Sequence, residues 1–302
     1  MKLAFIIVNF HSDQDSLNII KGILENDPVK DVEVVIYAVD NSRSNEFKTA
    51  VEKYEQVVYV DSPEGNVGFA GGNNLGIKRS MKDGVDILCL INNDTLAPKD
   101  LVKNIVGSPI SDPKVGVVGG LIYFAKGFEF KEKYSPEDKG NVIWYAGGKF
   151  DWDNILGIGD YVDEVDQGQL NKVTDTDFIT GALFIVRADV LKQIGLLDEK
   201  YFMYLEDVDL GHRIRLAGYR LVVDPNIKIW HKVAQSSGIG SDLNDYFITR
   251  NRLYFGLKYS KMRTKFALLR EAVRFLLSGR KPQKQAVRDF FTHNLGRGSF
   301  LK

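Results

Sequence analysis

Three carboxylates fall within four consecutive positions in Glu206-Asp207-Val208-Asp209, directly after the aromatic run Tyr201-Phe202-Met203-Tyr204. Like charges so close together are costly unless a proton, a metal ion or an arginine compensates, and a general base is one use that repays the cost. Asp207 or Asp209 would equally serve as the cap of the helix expected over residues 211–218. Asp94, closing Ile91-Asn92-Asn93-Asp94, is a second candidate. A hard divalent cation on a diphosphate needs only one or two protein oxygens and takes the rest from phosphate and water. The competing role for Asp94 is the cap of a helix entered through Pro98. His231 follows Trp230 at a strand end, either as a packed ring or as a ligand to the same cation. The run Gly65-Asn66-Val67-Gly68-Phe69-Ala70-Gly71-Gly72-Asn73-Asn74-Leu75-Gly76 would let backbone approach an anion at a helix N-terminus. Its glycine spacing is not the dinucleotide fingerprint, so a plain tight turn is the alternative.

Such residues meet only if a sheet gathers the ends of its strands. Residues 3–9, and 32–39 apart from Glu33 and Tyr37, are apolar, β-branched runs suited to buried parallel strands, and Leu17, Ile20, Ile23 and Leu24 recur between them at helical spacing. Helix over 47–54, strand over 57–60, helix over 75–81 and strand over 87–91 continue the alternation of an α/β fold, a mostly parallel sheet flanked by helices. Ligands of such sheets bind beyond the carboxyl ends of the strands. The loops there are polar: Asn9-Phe10-His11-Ser12, Asp40-Asn41-Ser42, Glu64-Gly65-Asn66-Val67-Gly68 and Asn92-Asn93-Asp94. Residues 123–170, with Trp144, Tyr145, Gly147-Gly148 and Trp152, break the pattern and read as an inserted layer carrying substrate contacts. Strand, helix and strand are expected again over 178–186, 201–217 and 220–230.

The composition, 44% hydrophobic and 26% charged, is that of an ordinary globular protein. No apolar run reaches the roughly 18–20 residues of a membrane span. Met1–Phe10 is basic and then apolar, but polar residues follow at once without a small-residue cleavage site, so a first strand is expected rather than a leader. The single cysteine, Cys89, sits in an apolar run and suits a buried position in a reducing cytosol. Net charge is zero, yet residues 258–302 hold twelve Lys or Arg against Glu271 and Asp289, leaving 28 basic and 38 acidic residues before them. The division expected is a catalytic unit over 1–257, with a nucleotide-binding half to about 120 and an acceptor half beyond it, followed by a basic amphipathic helical extension over 258–302. In the extension Phe266, Leu269, Val273, Leu276 and Leu277 form an apolar stripe beside Lys265, Arg270 and Arg274. It suits an anionic membrane surface, or packing on the acidic body or on a second subunit as a homodimer. Nucleic acid is not expected, because no recognition motif accompanies the charge.

Asn66-Val67-Gly68-Phe69-Ala70-Gly71-Gly72-Asn73-Asn74, Leu90-Ile91-Asn92-Asn93-Asp94, Tyr145-Ala146-Gly147-Gly148, Gly181-Ala182-Leu183-Phe184, Tyr204-Leu205-Glu206-Asp207-Val208-Asp209-Leu210 with Arg213, and Arg250-Asn251-Arg252 occur in order across residues 3–255. Together they resemble family 2 glycosyltransferases of the GT-A fold, most of all the bacterial rhamnosyltransferase-like branch. The resemblance implies that Asp40 reads the base of a nucleotide-diphosphate sugar and that Asn92 to Asp94 is the DxD-type metal and ribose site. Asn9, Asn66, Gly68, Phe69, Asn73 and Asn93 are the further donor contacts expected. It implies Mg²⁺ or Mn²⁺ held by Asp94 and His231, and Asp207 as the base that activates a hydroxyl of a glycan or lipid-linked glycan. Glu206 and Asp209 then position acceptor and helix, and Trp144, Gly181 and Ala182 stand on the acceptor side. Asn92 occupies the first acidic position of the motif and brings no charge. The implied reaction is inverting transfer, from dTDP-L-rhamnose or from UDP-galactofuranose or another UDP-sugar, in surface-polysaccharide synthesis. The cytoplasm, with contact to the inner face of its membrane, is the expected location. A sugar-1-phosphate nucleotidyltransferase would need a glycine-rich basic loop where Asn9-Phe10-His11-Ser12 stands. An inactive glycan-binding protein of the same fold is the alternative of another class.

Overall fold

The computed structural model describes residues 1–131, 133–233 and 241–301. Its first half alternates as the apolar periodicity requires: β1 (Lys2–Asn9), α1 (Asp13–Leu24), β2 (Glu33–Asp40), α2 (Asn45–Val51), β3 (Val57–Asp61), α3 (Gly68–Lys82) and β4 (Ile87–Ile91). β5 (Thr95–Leu96), α4 (Leu101–Gly107) and the long buried β6 (Val115–Phe124) follow. β7 (Ile143–Tyr145), a hairpin of β8 (Gly148–Asp151) and β9 (Leu156–Gly159), and β10 (Thr174–Asp175) make up the inserted layer. β11 (Leu183–Arg187), α5 (Ala188–Ile194), α6 (Glu206–Leu216), β12 (Arg220–His231) and α7 (Asp242–Tyr259) lead to α8 (Met262–Ser278) and α9 (Lys281–Phe291).

One sheet runs β10-β12-β6-β11-β4-β1-β2-β3, with β5 beside β12 and β7 beside β6. β1, β2, β3 and β4 pair in parallel, as do β6 and β12, while β11 runs antiparallel between β4 and β6. β4 and β6 are buried along their whole lengths, as covered strands read by continuous apolar runs must be. Cys89 is one of these buried residues.

The glycine-rich run is helical from Gly68 rather than from Leu75 onward, and its glycines pack helix against sheet instead of opening a bare turn. Gly68 has φ +77°, and a Cβ there would lie 2.5 Å from the Phe202 carbonyl oxygen. At Gly76 a Cβ would lie 2.5 Å from Ile6 Cγ2 on β1. Gly76→Val is therefore expected to cost about 3 kcal/mol by overpacking, read as a lower midpoint in urea unfolding with unchanged slope.

Two expected elements are shorter than the apolar pattern suggested. The strand expected over 178–186 begins only at Leu183, because Gly181 is drawn off the ladder to donate to Asp207 and Leu183 N closes a turn on the Thr180 carbonyl. The helix expected over 201–217 begins only at Glu206, because Phe202, Tyr204 and Leu205 have φ of 66°, 67° and 72°. The cap is thus Leu205, and neither Asp207 nor Asp209 takes that position. α7 runs through residues 257 and 258, and its Arg250 bonds the Gly296 carbonyl, which fastens the end of the chain to it. Among the described residues no helix is long and apolar enough to cross a membrane.

Candidate active site

The parallel strands place their ends side by side, and a chain of hydrogen bonds locks the loops there. Asn93 Nδ2 donates to Ser16 Oγ, which donates to Asn9 Oδ1, and Asn9 Nδ2 reaches Asp13 Oδ1 at 2.7 Å and Asp40 Oδ1 at 3.3 Å. Asp40 accepts further from Ser42 N and Oγ, from Ser44 N at 2.7 Å and from the Tyr59 hydroxyl. Asn9 and Asp40 are both fully buried. Their hydrogen bonds shape the Ser42–Ser44 turn. Asn73, expected as a nucleotide contact, is likewise buried, and its amide donates to the Phe69 carbonyl one helical turn back. Asn66 accepts from Gly68 N and so forms the entry to α3. Phe69, Asn92 and Asn93 are partly exposed.

Asp94 does not cap a helix: β5 intervenes, and Asp100 stands at the cap position of α4. Its Oδ1 lies 3.0 Å from His231 Nε2, with Asn92 Nδ2 at 3.4 Å from the same nitrogen. His231 is the last residue of β12 rather than the first beyond it, paired with Thr95 and Phe124. The Trp144 ring packs edge-on against the imidazole, 4.5 Å between centroids. Two ligands at right angles about 2.1 Å from a Mg²⁺ would sit about 3 Å apart, so the Asp94–His231 pair fits such an ion. Among the described residues no group of three or more His, Cys, Asp or Glu is poised to hold a metal. An ion here would therefore draw its other ligands from diphosphate and water.

The three acids of α6 have different surroundings. Asp207 is partly exposed; its Oδ2 accepts from Gly181 N at 2.7 Å and its Oδ1 from Val208 N at 2.8 Å. Burial of the carboxyl pushes its pKa up, and the amides of Gly181 and Val208 pull against that shift. Glu206 is buried, its Oε2 has no hydrogen-bond partner, and burial together with the neighbouring Asp207 raises it well above the ordinary carboxyl range. Burial alone would raise Asp209 too, but Arg213 at 2.7 Å and Lys258 at 3.0 Å hold it below that range. Asp209 also accepts from the Tyr201 and Tyr259 hydroxyls, so it joins α6 to α7.

The Gly181-Ala182 dipeptide fastens the two halves of the site together. Gly181 N holds Asp207, and the Ala182 carbonyl accepts from Asn92 N at 3.2 Å. A Cβ on Gly181 would lie 2.9 Å from the Phe69 ring, so only glycine lets that ring and the carboxylate approach together.

Two residues quoted only as part of a motif prove to shape the site. Asn251 Nδ2 lies 3.0, 2.7 and 2.8 Å from the carbonyl oxygens of Tyr201, Met203 and Tyr204. Arg250, fully buried, donates to the carbonyls of Tyr201 and Gly296 and lies over the rings of Tyr246 and Phe247. Polar residues run throughout α7, so nothing in its sequence marked these two as the buried ones.

The model of the family described as "Glycosyltransferase like family 2" matches residues 2–256. The hexosyltransferase Agl10 of low-salt glycan biosynthesis in Haloferax volcanii is 26% identical over 217 residues, which cover 70% of this chain and 61% of that relative. The chain thus spans about three-fifths of its length. The rhamnosyltransferase WbbL of Escherichia coli K12 is 26% identical over 235 residues, 76% of this chain and 83% of the relative. Among solved structures, GalNAc-T7 with UDP, GalNAc and Mn²⁺ superposes with a TM-score of 0.61 at 15% identity, over 97% of this chain and 58% of that one. The sheet and helices are those of GT-A glycosyltransferases, and the chain belongs to glycosyltransferase-like family 2.

Proposed function

We propose that the protein is an inverting, metal-dependent glycosyltransferase that moves L-rhamnose from dTDP-L-rhamnose to a hydroxyl of a glycan or lipid-linked oligosaccharide. The observation that carries this reading is the shared dipeptide: the amide of Gly181 holds the Asp207 carboxylate and the carbonyl of the next residue, Ala182, holds the start of the Asn92–Asp94 loop. A base and a diphosphate site are thereby fixed relative to each other before any substrate arrives, which is where most of the advantage of preorganisation lies. Asp207 takes the proton of the acceptor hydroxyl as that oxygen bonds to the anomeric carbon. The bond from that carbon to the diphosphate oxygen breaks in the same displacement, so the configuration inverts. Asp94 and His231 are the residues that would hold a divalent cation, which when bound offsets the charge of the departing diphosphate. The rhamnosyl donor is favoured by likeness to WbbL, while likeness to Agl10 supports the wider class of hexosyl donors.

The test is turnover of the purified chain over a panel of dTDP- and UDP-sugars with Mn²⁺ or Mg²⁺; release of no nucleoside diphosphate from any donor, acceptor present, would reject the reading. Asp94→Ala is expected to weaken Mn²⁺-dependent binding of the donor nucleotide at least tenfold by calorimetry, as loss of a charged ligand to a desolvated site should. Equal binding with and without chelator would remove the metal role.

A further inference from the structure

α8 is apolar on two opposite sides, and only one of them is used by the fold. Thr264, Leu268 and Ala272 are buried, and Leu268 and Ala272 pack with Phe150, Ile155 and Phe255. The other side presents Met262, Phe266, Val273 and Leu277 to solvent, Phe266 at 65% and Leu277 at 78% exposure. At 3.6 residues per turn these four positions fall within an arc of about 60°. Arg263, Arg270 and Arg274 line one edge of that arc and are themselves exposed. Arg280 is paired with Asp245 of α7, but Lys281 and Arg288, also exposed, continue the positive charge into α9.

We propose that this face of α8, with the cationic edge shared by α9, docks the protein on an anionic lipid surface. The charge decides between that occupant and a second copy of the chain. A two-fold contact places the same patch against itself, so the arginines of both copies would meet. The two acids of the extension are already engaged: Glu271 pairs with Arg252 and Arg274, and Asp289 is buried against Tyr246 and Ser299. A lipid surface supplies the missing anions, and its interfacial region accepts the exposed Phe and Leu side chains. Beneath α8, the cluster containing Leu268 also contains Leu205 and Val208, which flank Glu206 and Asp207. The buried side of α8 thus belongs to the same apolar cluster as the residues that flank the proposed base. In this way the inference deepens the proposed function, and it rests on that reading only for the idea that a lipid-linked acceptor lies at the same surface.

The experiment is co-sedimentation of the full chain with vesicles of phosphatidylcholine containing phosphatidylglycerol, and with phosphatidylcholine alone, in the absence of donor and acceptor. The full chain is expected in the pellet with anionic vesicles and in the supernatant with neutral ones. Arg270→Glu with Arg274→Glu should lower the partition coefficient by at least about 25-fold, at roughly fivefold for each of the two cations removed and more for the two anions added. Phe266→Glu with Leu277→Glu should lower it roughly 100-fold, at about tenfold per exposed apolar side chain. These residues are exposed, so both variants are expected to melt with the full chain and to keep its turnover on a soluble acceptor. Failure of the full chain to pellet with anionic vesicles would overturn the proposal, as would equal pelleting of the Phe266/Leu277 variant. So would a dimer in sedimentation velocity that these same variants dissociate. Turnover on the soluble acceptor is read separately, so loss of docking and loss of glycosyl transfer are distinguishable.

Discussion

Asp207→Asn is expected to lower kcat by roughly 10²- to 10⁴-fold, the usual worth of a positioned general base, while leaving donor-nucleotide binding nearly unchanged. The amide oxygen of Asn still accepts from Gly181 N or Val208 N, so the local fold survives the change. What is lost is the negative charge that takes the acceptor proton. Glu206 makes the sharper control, because the two carboxyls are adjacent and cannot both ionise cheaply. Asp207 has two amides to support a charge and an open side toward solvent; Glu206 is buried with an unpartnered oxygen. The pair therefore carries its first charge on Asp207 and keeps Glu206 neutral, the separation that assigns acid and base in other paired carboxyls. Glu206→Gln, neutral at every pH, is accordingly expected to retain most turnover. If Glu206→Gln is the inactive variant and Asp207→Asn the active one, the assignment is reversed.

The pH dependence follows with a definite sign. A base works when ionised, and the folded-state pKa of Asp207 is raised. kcat/KM should therefore rise with pH through a limb above the ordinary aspartate range and level off beyond it. Stability moves the other way. The folded state holds protons on Asp207 and Glu206 that the unfolded chain has already released, so stability falls as pH climbs from the ordinary carboxyl range through the raised values. Asp209 has the opposite linkage: its lowered pKa contributes stability that is present above the ordinary range and lost as pH falls through the lowered value.

How much of this was legible beforehand depended on distance along the chain. The order of strands and helices over residues 1–91 follows the apolar period, though α3 begins at Gly68, before that period is visible. Pairings such as Asp94 with His231, 137 positions apart, are legible only as a shared sheet end, which polar loops after apolar strands do announce. The division of labour among Asn9, Asp40 and Asn73 was not legible. Buried polar residues that hold a loop and exposed ones that hold a ligand have the same chemistry, and burial alone separates them. The same holds for α8, where Leu268 and Leu277 sit in one apolar pattern and only the packing of α7 and the β8–β9 hairpin decides which is covered. The left-handed backbone at Phe202, Tyr204 and Leu205 runs against residue preference, since bulky side chains avoid that region. Such a segment exists only because something distant holds it.

That something is the Arg250-Asn251 pair, and breaking it carries the second large expected effect. Each left-handed residue of this kind costs on the order of 1–3 kcal/mol, and three of them occupy four positions just before Glu206. The strain is offset where carbonyl groups turned inward by that backbone meet Asn251 Nδ2 and the Arg250 guanidinium. The Phe202 carbonyl, turned the other way, accepts from Ala70 N at 3.0 Å, so the same segment also seats the start of α3 and with it Phe69. Asn251→Leu keeps the side-chain volume and removes the amide, so the segment should relax toward ordinary backbone and swing the first turn of α6. A displacement of about 1 Å at a reacting group can cost on the order of 100-fold, and kcat is expected to fall by about that factor. Donor KM should change less than kcat, because the Asn92–Asp94 loop is held from Ala182, and on the donor side only the start of α3 rests on this segment. Stability should fall by about 1–3 kcal/mol, the cost of leaving buried carbonyls short of a donor. Asn251→Gln, which keeps the amide on a longer stem, should recover part of kcat. A residue that only stabilised the fold would lower the melting temperature and leave kcat of the folded fraction intact, and that result for Asn251→Leu would deny it any part in aiming Asp207.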